Sequence, residues 1–142
     1  MKHSYLYEPA IWSATGTLWR ADGEPLQAQS RTEIAHRPEC WLLSGKLKVL
    51  GSPPTEFVQA YLIRPEGATL KWTFESAMFG KLEGRFAAVG DSIMAVCGCD
   101  ASGYRGAECF TRLDADTYRS CGMMLLKDKV VYSWEMIHKR GT

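Results

Sequence analysis

The sequence lacks an excess of charge of either sign: 17 Lys+Arg stand against 16 Asp+Glu, a formal +1 with neutral histidines. Nucleic-acid surfaces neutralise phosphates with surplus cations, so this balance excludes nucleic acid as an expected partner. No window approaches the ~20 apolar residues that span a bilayer, and no membrane partner is expected. The amino-terminal run Met1-Lys2-His3-Ser4-Tyr5-Leu6-Tyr7-Glu8-Pro9 has neither an apolar h-region nor a small-residue cleavage site. That reads as no secretory signal and a cytoplasmic protein. Cys-x-x-Cys spacing is missing too. The five cysteines, at 40, 97, 99, 109 and 121, are odd in number and read as reduced, small apolar residues rather than a disulfide framework. Cys97-Gly98-Cys99 would put both sulfurs on one face of a strand, yet no histidine is near in sequence, so no metal is expected. Gly-x-Ser-x-Gly, Walker-type, Gly-x-Gly-x-x-Gly and His-Glu-x-x-His patterns are absent. Their absence lowers the weight of the common enzyme classes and leaves activity open, leaning away from catalysis.

A helical period is also lacking. The only short candidates are Met1 to Tyr7 and the stretch around Glu75 to Phe79, so parallel βαβ folds, which need crossover helices, are excluded. What the sequence does have is a recurrence of apolar, β-branched and aromatic runs ended by turn clusters. The runs are Ile11 to Arg20, Leu26 to His36, Glu39 to Leu50, Phe57 to Arg64, Ala68 to Glu75, Leu82 to Val89, Ser92 to Cys99, Tyr104 to Arg112, Thr117 to Leu126 and Val130 to Arg140. Ala21-Asp22-Gly23-Glu24-Pro25, Arg37-Pro38, Gly51-Ser52-Pro53-Pro54, Pro65-Glu66-Gly67 and Lys127-Asp128-Lys129 separate several of them. About nine or ten strands at near-regular spacing predict one all-β domain over residues 1–142: a single antiparallel up-and-down β-barrel, closed because closure removes exposed edges.

The strand faces mix apolar and polar residues. Trp41, Leu43, Leu47 and Val49 share one face, as do Leu70, Trp72 and Phe74. Ile11 and Trp19, however, share theirs with Ser13, Thr15 and Thr17, and Leu26, Ala28 and Ile34 share theirs with Ser30 and Thr32. Buried hydroxyls need partners, so these faces favour a barrel with a partly wet interior able to hold one small ligand.

The meander, the Trp-bearing first strand and the closing Trp134-Glu135-Met136-Ile137-His138-Lys139-Arg140 resemble the calycin superfamily, and within it the small bacterial lipocalin-like domains of unknown function. Tyr104-Arg105-Gly106-Ala107-Glu108-Cys109-Phe110 and Asp116-Thr117-Tyr118 carry much of the likeness. Lipocalins place a Gly-x-Trp on the first strand with a basic residue of the last strand over that Trp. Here Gly16-Thr17-Leu18-Trp19 has one residue more, and Arg140 is the basic candidate against Trp12 or Trp19. The resemblance implies a barrel with a cavity, often for an apolar small molecule.

Within that barrel the ligand-binding candidates are Trp41, Tyr61, Trp72, Glu108, Tyr132, Trp134, His138 and Arg140. The aromatics supply contact area. His138 is read as lying inward near the end of the last strand, able to hold a ligand carboxylate or act as a base. Glu108 shares a face with Tyr104 and Phe110 and needs a partner, with Arg140 or His138 the expected one. Met123, Met124 and Met136 offer adaptable packing. No cofactor is expected. Haem through His138 is the minor alternative: the haem-binding barrels called nitrobindins take an axial histidine from their carboxy-terminal region, but their Gly-x-Trp-x-Gly-x-Gly signature is missing here. The leading expectation is a barrel binding a small apolar or amphipathic molecule. The alternatives are a small enzyme using Glu108 and His138 as an acid–base pair, and a filled barrel acting as a homodimerising interaction protein.

Overall fold

The computed structural model describes residues 2–141. Ten strands, β1 (Ala10–Arg20), β2 (Leu26–His36), β3 (Trp41–Leu50), β4 (Thr55–Glu66), β5 (Thr69–Ser76), β6 (Gly80–Val89), β7 (Ser92–Gly98), β8 (Tyr104–Asp114), β9 (Thr117–Leu126) and β10 (Lys129–Arg140), form a closed antiparallel barrel. Each pairs with its sequence neighbours, and β1 pairs with β10. Two strands coincide with their sequence-predicted bounds and the other eight differ by one or two residues at one or both ends. At the β9–β10 turn Lys127 and Asp128 have φ of 51° and 65°, the left-handed pair whose twist matches that of a two-residue hairpin. Pro65 and Glu66, read as turn residues, extend β4, and the turn falls on Gly67, where φ is 61°.

Among the described residues there is no helix. The stretch around Glu75 to Phe79 is instead the end of β5 and its turn, where Ser76 Oγ accepts the N–H groups of Met78 and Phe79. Residues 2–7 of the other candidate are an irregular segment with a turn at 5–7; residue 1 lies outside the described residues. His3, Ser4, Tyr5 and Leu6 are all buried, and they plug one end of the barrel. The Ser4 hydroxyl donates to Ala115 O at 2.6 Å, and His36 Nε2–H donates to Leu6 O at 2.8 Å. Tyr118 O–H accepts from Ser4 N–H and donates to His3 Nδ1, whose Nε2–H donates to Gly90 O. Two strands, β2 and β9, and two turns therefore hold the plug. Leu6 sits at φ 69° with no exposed surface, an uncommon conformation whose cost complete burial offsets.

The phase of β1 differs from the expected one. Trp12 and Ala14 face inward with Gly16, and Trp19 is 39% exposed. Ser13, Thr15 and Thr17 therefore line the outer wall. Small inward residues are needed there: a Cβ on Gly16 would collide with the Glu135 carbonyl, and one on Gly45 with the Arg31 carbonyl. Alternation alone could not show that approach, because it depends on the neighbouring strand. On β2 the expected face is correct, with Ala28, Thr32 and Ile34 buried.

Candidate functional site

The interior divides into two halves. Toward the plug, Tyr5 packs on Trp12, Phe110, Tyr118 and His138, with ring centroids 4.8–5.7 Å apart, and Ile34, Ile63, Leu70 and Ile93 complete a dry layer. Toward the other end, inward residues such as Leu18, Leu47, Phe57, Tyr104 and Tyr132 stay partly exposed. This is the less buried end, the candidate mouth. Phe79, from the β5–β6 turn, packs on Tyr104 at 4.8 Å and Tyr132 at 5.8 Å.

Between the halves lies a polar centre built on one cross-strand rung. Register places Glu108 of β8 opposite Gly122 of β9, and Gly122 opposite Trp134 of β10. Gly122 has no side chain, and a Cβ there would come within 2.5 Å of the Trp134 ring. The indole occupies that space, and its Nε1–H donates to Glu108 Oε2 at 2.7 Å. On the next rung Ser120 of β9, which has no exposed surface, hydrogen-bonds His138 Nε2 of β10 at 2.8 Å. Burial raises the Glu108 pKa to about 7, while the hydrogen bonds from Trp134 and then Ser120 pull it down. Burial alone depresses His138 to about 4. At neutral pH the imidazole is neutral and the carboxyl is near half-ionised. When Ser120 donates to Glu108, His138 donates Nε2–H to Ser120.

Of the expected site residues, Tyr61, Trp72, Glu108, Trp134 and His138 meet around this centre. Tyr61 lies 5.0 Å from Trp72 and 4.6 Å from Phe74 between ring centroids. Trp41 is at the plugged end, stacked on His36 at 3.9 Å and edge-on to Tyr7. Tyr132 is at the mouth. Arg140 belongs to neither: it is the register partner of Trp12 and pairs with Glu8 at 3.6 Å. Its expected pairing with Glu108 is thus corrected, because β10 carries it to the plugged end. His138 is not the direct partner either; Ser120 stands between the two. Among the described residues the five ion pairs all omit Glu108.

Tyr5 and Cys97 were missed as site residues. Burial, then the Glu108 charge, raises the pKa of Tyr5, Tyr61 and Cys97, the last to about 11. All three therefore feel the carboxylate charge and stay protonated. Cys97 had a signal, since it alternates inward with Ile93 and Ala95. Tyr5 had none, because its place is set by strands more than a hundred residues away. Trp72 Nε1 is buried and has no hydrogen-bond partner. On the outer wall, a groove of about 660 Å³ crosses β5 to β8 beside Arg85 and Arg105, but Glu66 and Asp100 neutralise those two guanidiniums.

The sequence matches no protein-family model and no curated protein. Solved structures share its fold, among them the following two. The S-type phycobiliprotein lyase CPES from Guillardia theta superposes with a TM-score of 0.68 at 8% identity, over 97% of this chain and 91% of that one. Rv2717c from M. tuberculosis gives 0.68 at 10% identity, over 94% and 92%. At such identities the likeness concerns architecture alone, and it is to lipocalin-like barrels: the chain is a closed ten-stranded barrel of that kind.

Proposed function

We propose that the barrel binds one small amphipathic molecule through its mouth, with the apolar body among Tyr61, Phe74, Trp72 and Trp134 and a hydrogen-bond-donating head on Glu108. The observation that carries this reading is the carboxyl itself. An interior carboxyl without a cation is costly, and here it is held by one indole N–H and one hydroxyl. Its spare acceptor capacity suits a ligand hydroxyl, amide or ammonium. The fold supports the reading as well: ten strands enclose a wider interior than the eight that suffice for one small ligand. Occurrence of the fold in a phycobiliprotein lyase is compatible with it.

The head should be a donor rather than a carboxylate, because a second negative charge beside Glu108 would have to be neutralised first. Tryptophan-fluorescence titration with dodecylamine and with dodecanoic acid tests this directly. The amine is expected to quench more strongly, with an affinity that rises as pH passes through about 7 and Glu108 ionises. Glu108→Gln is expected to abolish the preference. Equal response to both amphiphiles, or to neither, together with no co-purified small molecule in native mass spectrometry, would overturn the reading.

An acid–base role is the second reading, favoured by the Glu108 pKa of about 7, the range in which a general acid or base works best at physiological pH. The catalytic unit would be Glu108 with Ser120 as relay, His138 remaining neutral.

A further inference from the structure

We propose that Cys109 and Cys121 form a two-thiol redox site on the outer wall that low-molecular-weight disulfides oxidise to an intramolecular disulfide. The two residues are direct register partners on β8 and β9. Both point outward, because their sequence neighbours Phe110 and Ser120 are buried inside the barrel. Cys121 is exposed and Cys109 partly so, and both are free thiols. Directly opposed residues of an antiparallel pair have Cα atoms about 4.5–5.5 Å apart, inside the range of about 4.4–6.8 Å that disulfides span. No large backbone movement is needed to join them.

The surroundings distinguish the two sulfurs. Arg119, two residues before Cys121 on the same outer face of β9, donates to Glu135, whereas the Cys109 sulfur has Thr111 Oγ1 at 3.8 Å. Beside Cys109 across β7 lies the exposed Met94, which leaves that side apolar. Cys121, the more exposed of the two, is thus the entry sulfur and Cys109 the resolving one. In the first step the Cys121 thiolate attacks one sulfur of an external disulfide RSSR, forms a mixed disulfide and expels RS⁻. Next, the Cys109 thiolate attacks Cys121 Sγ and expels the second RS⁻. Two protein thiols and RSSR become one protein disulfide and two RSH, so atoms and electrons balance.

The site does not depend on the ligand reading, and either can fail alone. It does lie behind the polar centre: Cys109 sits between Glu108 and Phe110, and Cys121 between Ser120 and Gly122. Closing the bond draws opposed Cβ atoms from about 4.5–5.5 Å toward about 3.8 Å, on the rung next to the one that carries the Trp134 indole on Glu108.

Oxidised glutathione is the probe. After incubation, alkylation and tryptic digestion, the peptides Gly106–Arg112 and Ser120–Lys127 are expected to be linked, and the linkage to disappear with dithiothreitol. Cys109→Ser is expected to stop at a stable glutathione adduct on Cys121. Cys121→Ser is expected to leave Cys109 largely unmodified. A wild-type protein that accumulates the mixed disulfide on Cys121 without forming the linked peptide would overturn the proposal, as would one whose two thiols both remain free while Cys40 reacts. Because both side chains lie on the wall, the serine variants are expected to keep the wild-type circular dichroism.

Discussion

Two rungs of this barrel are built alike and end differently. On one, Trp134 lies across Gly122 and reaches Glu108. On the other, Trp72 lies across Gly84, where a Cβ would again come within 2.5 Å of the ring; Gly84 is opposite Cys97. In both, a missing side chain gives a large indole its place. The first indole has its N–H on a carboxylate, and the second has its N–H buried without a partner. Packing alone would have been served by either arrangement. The contrast shows that a tryptophan over a glycine is a packing device, and that only the residue at the end of the rung makes it a polar site.

The largest test of that contrast is the charge at the end of the first rung. Glu108 has its folded pKa raised from 4.5 to about 7, so the folded state holds a proton that the unfolded chain releases. Its contribution to stability is full below about 4.5 and falls as pH rises to about 7, by about 3 kcal/mol in all. His138 runs the other way. Its folded pKa is lowered from 6.5 to about 4, so stability is lost as pH falls through that window. Between about 4.5 and 6.5 the two slopes cancel. Urea denaturation across pH is therefore expected to show little slope from this pair in the wild type. Glu108→Gln should gain slope, stability rising with pH from about 4 to 6.5, and be more stable than wild type above pH 7. His138→Gln should show the opposite slope. Parallel profiles for all three proteins would mean that neither group is perturbed.

Next in size are the glycines. Gly84→Ala drives a Cβ into the Val96 carbonyl as well as the Trp72 ring and should destabilise by about 3 kcal/mol. Gly122→Ala meets the Trp134 ring first, with the Ala107 carbonyl at 2.9 Å, and should cost about 2 kcal/mol. Only the second should also displace the indole from Glu108 and alter Trp134 emission.

A smaller difference separates the two tryptophans themselves. Trp134→Phe and Trp72→Phe both lose ring area, but only the former removes a hydrogen bond to a carboxyl. Trp134→Phe should therefore be the more destabilising by about 1–2 kcal/mol in thermal or chemical unfolding. Equal losses would show that the bond to Glu108 contributes nothing net.

Much of this architecture was legible in the residues. The alternation of Trp41 to Val49 and of Leu70 to Phe74 gave strand type and inward face together, since burial on one side of a sheet imposes period two. Glu108 was placed on the correct face for the same reason. Its partner was not, because Arg140 and His138 share that face of the last strand with Trp134, and only the register shows which of them stands level with Glu108. On β1 the reading favoured Ile11 and Trp19 over Trp12, Ala14 and Gly16. Bulk marks a core position only where the opposite wall leaves room for it. The plug was hidden entirely: its hydrogen bonds span 30 to 115 residues, and nothing local in His3 to Leu6 distinguishes it from an unstructured start.

That plug also decides how the molecule can be held. His3 and Ser4 are fastened at the β6–β7 and β8–β9 turns, and Arg140 lies level with Trp12, so the first and last described segments share the side of the barrel opposite the mouth. A surface or probe attached beside His3 or Arg140 would therefore leave the mouth facing solution, and either attachment presents the barrel in the same orientation.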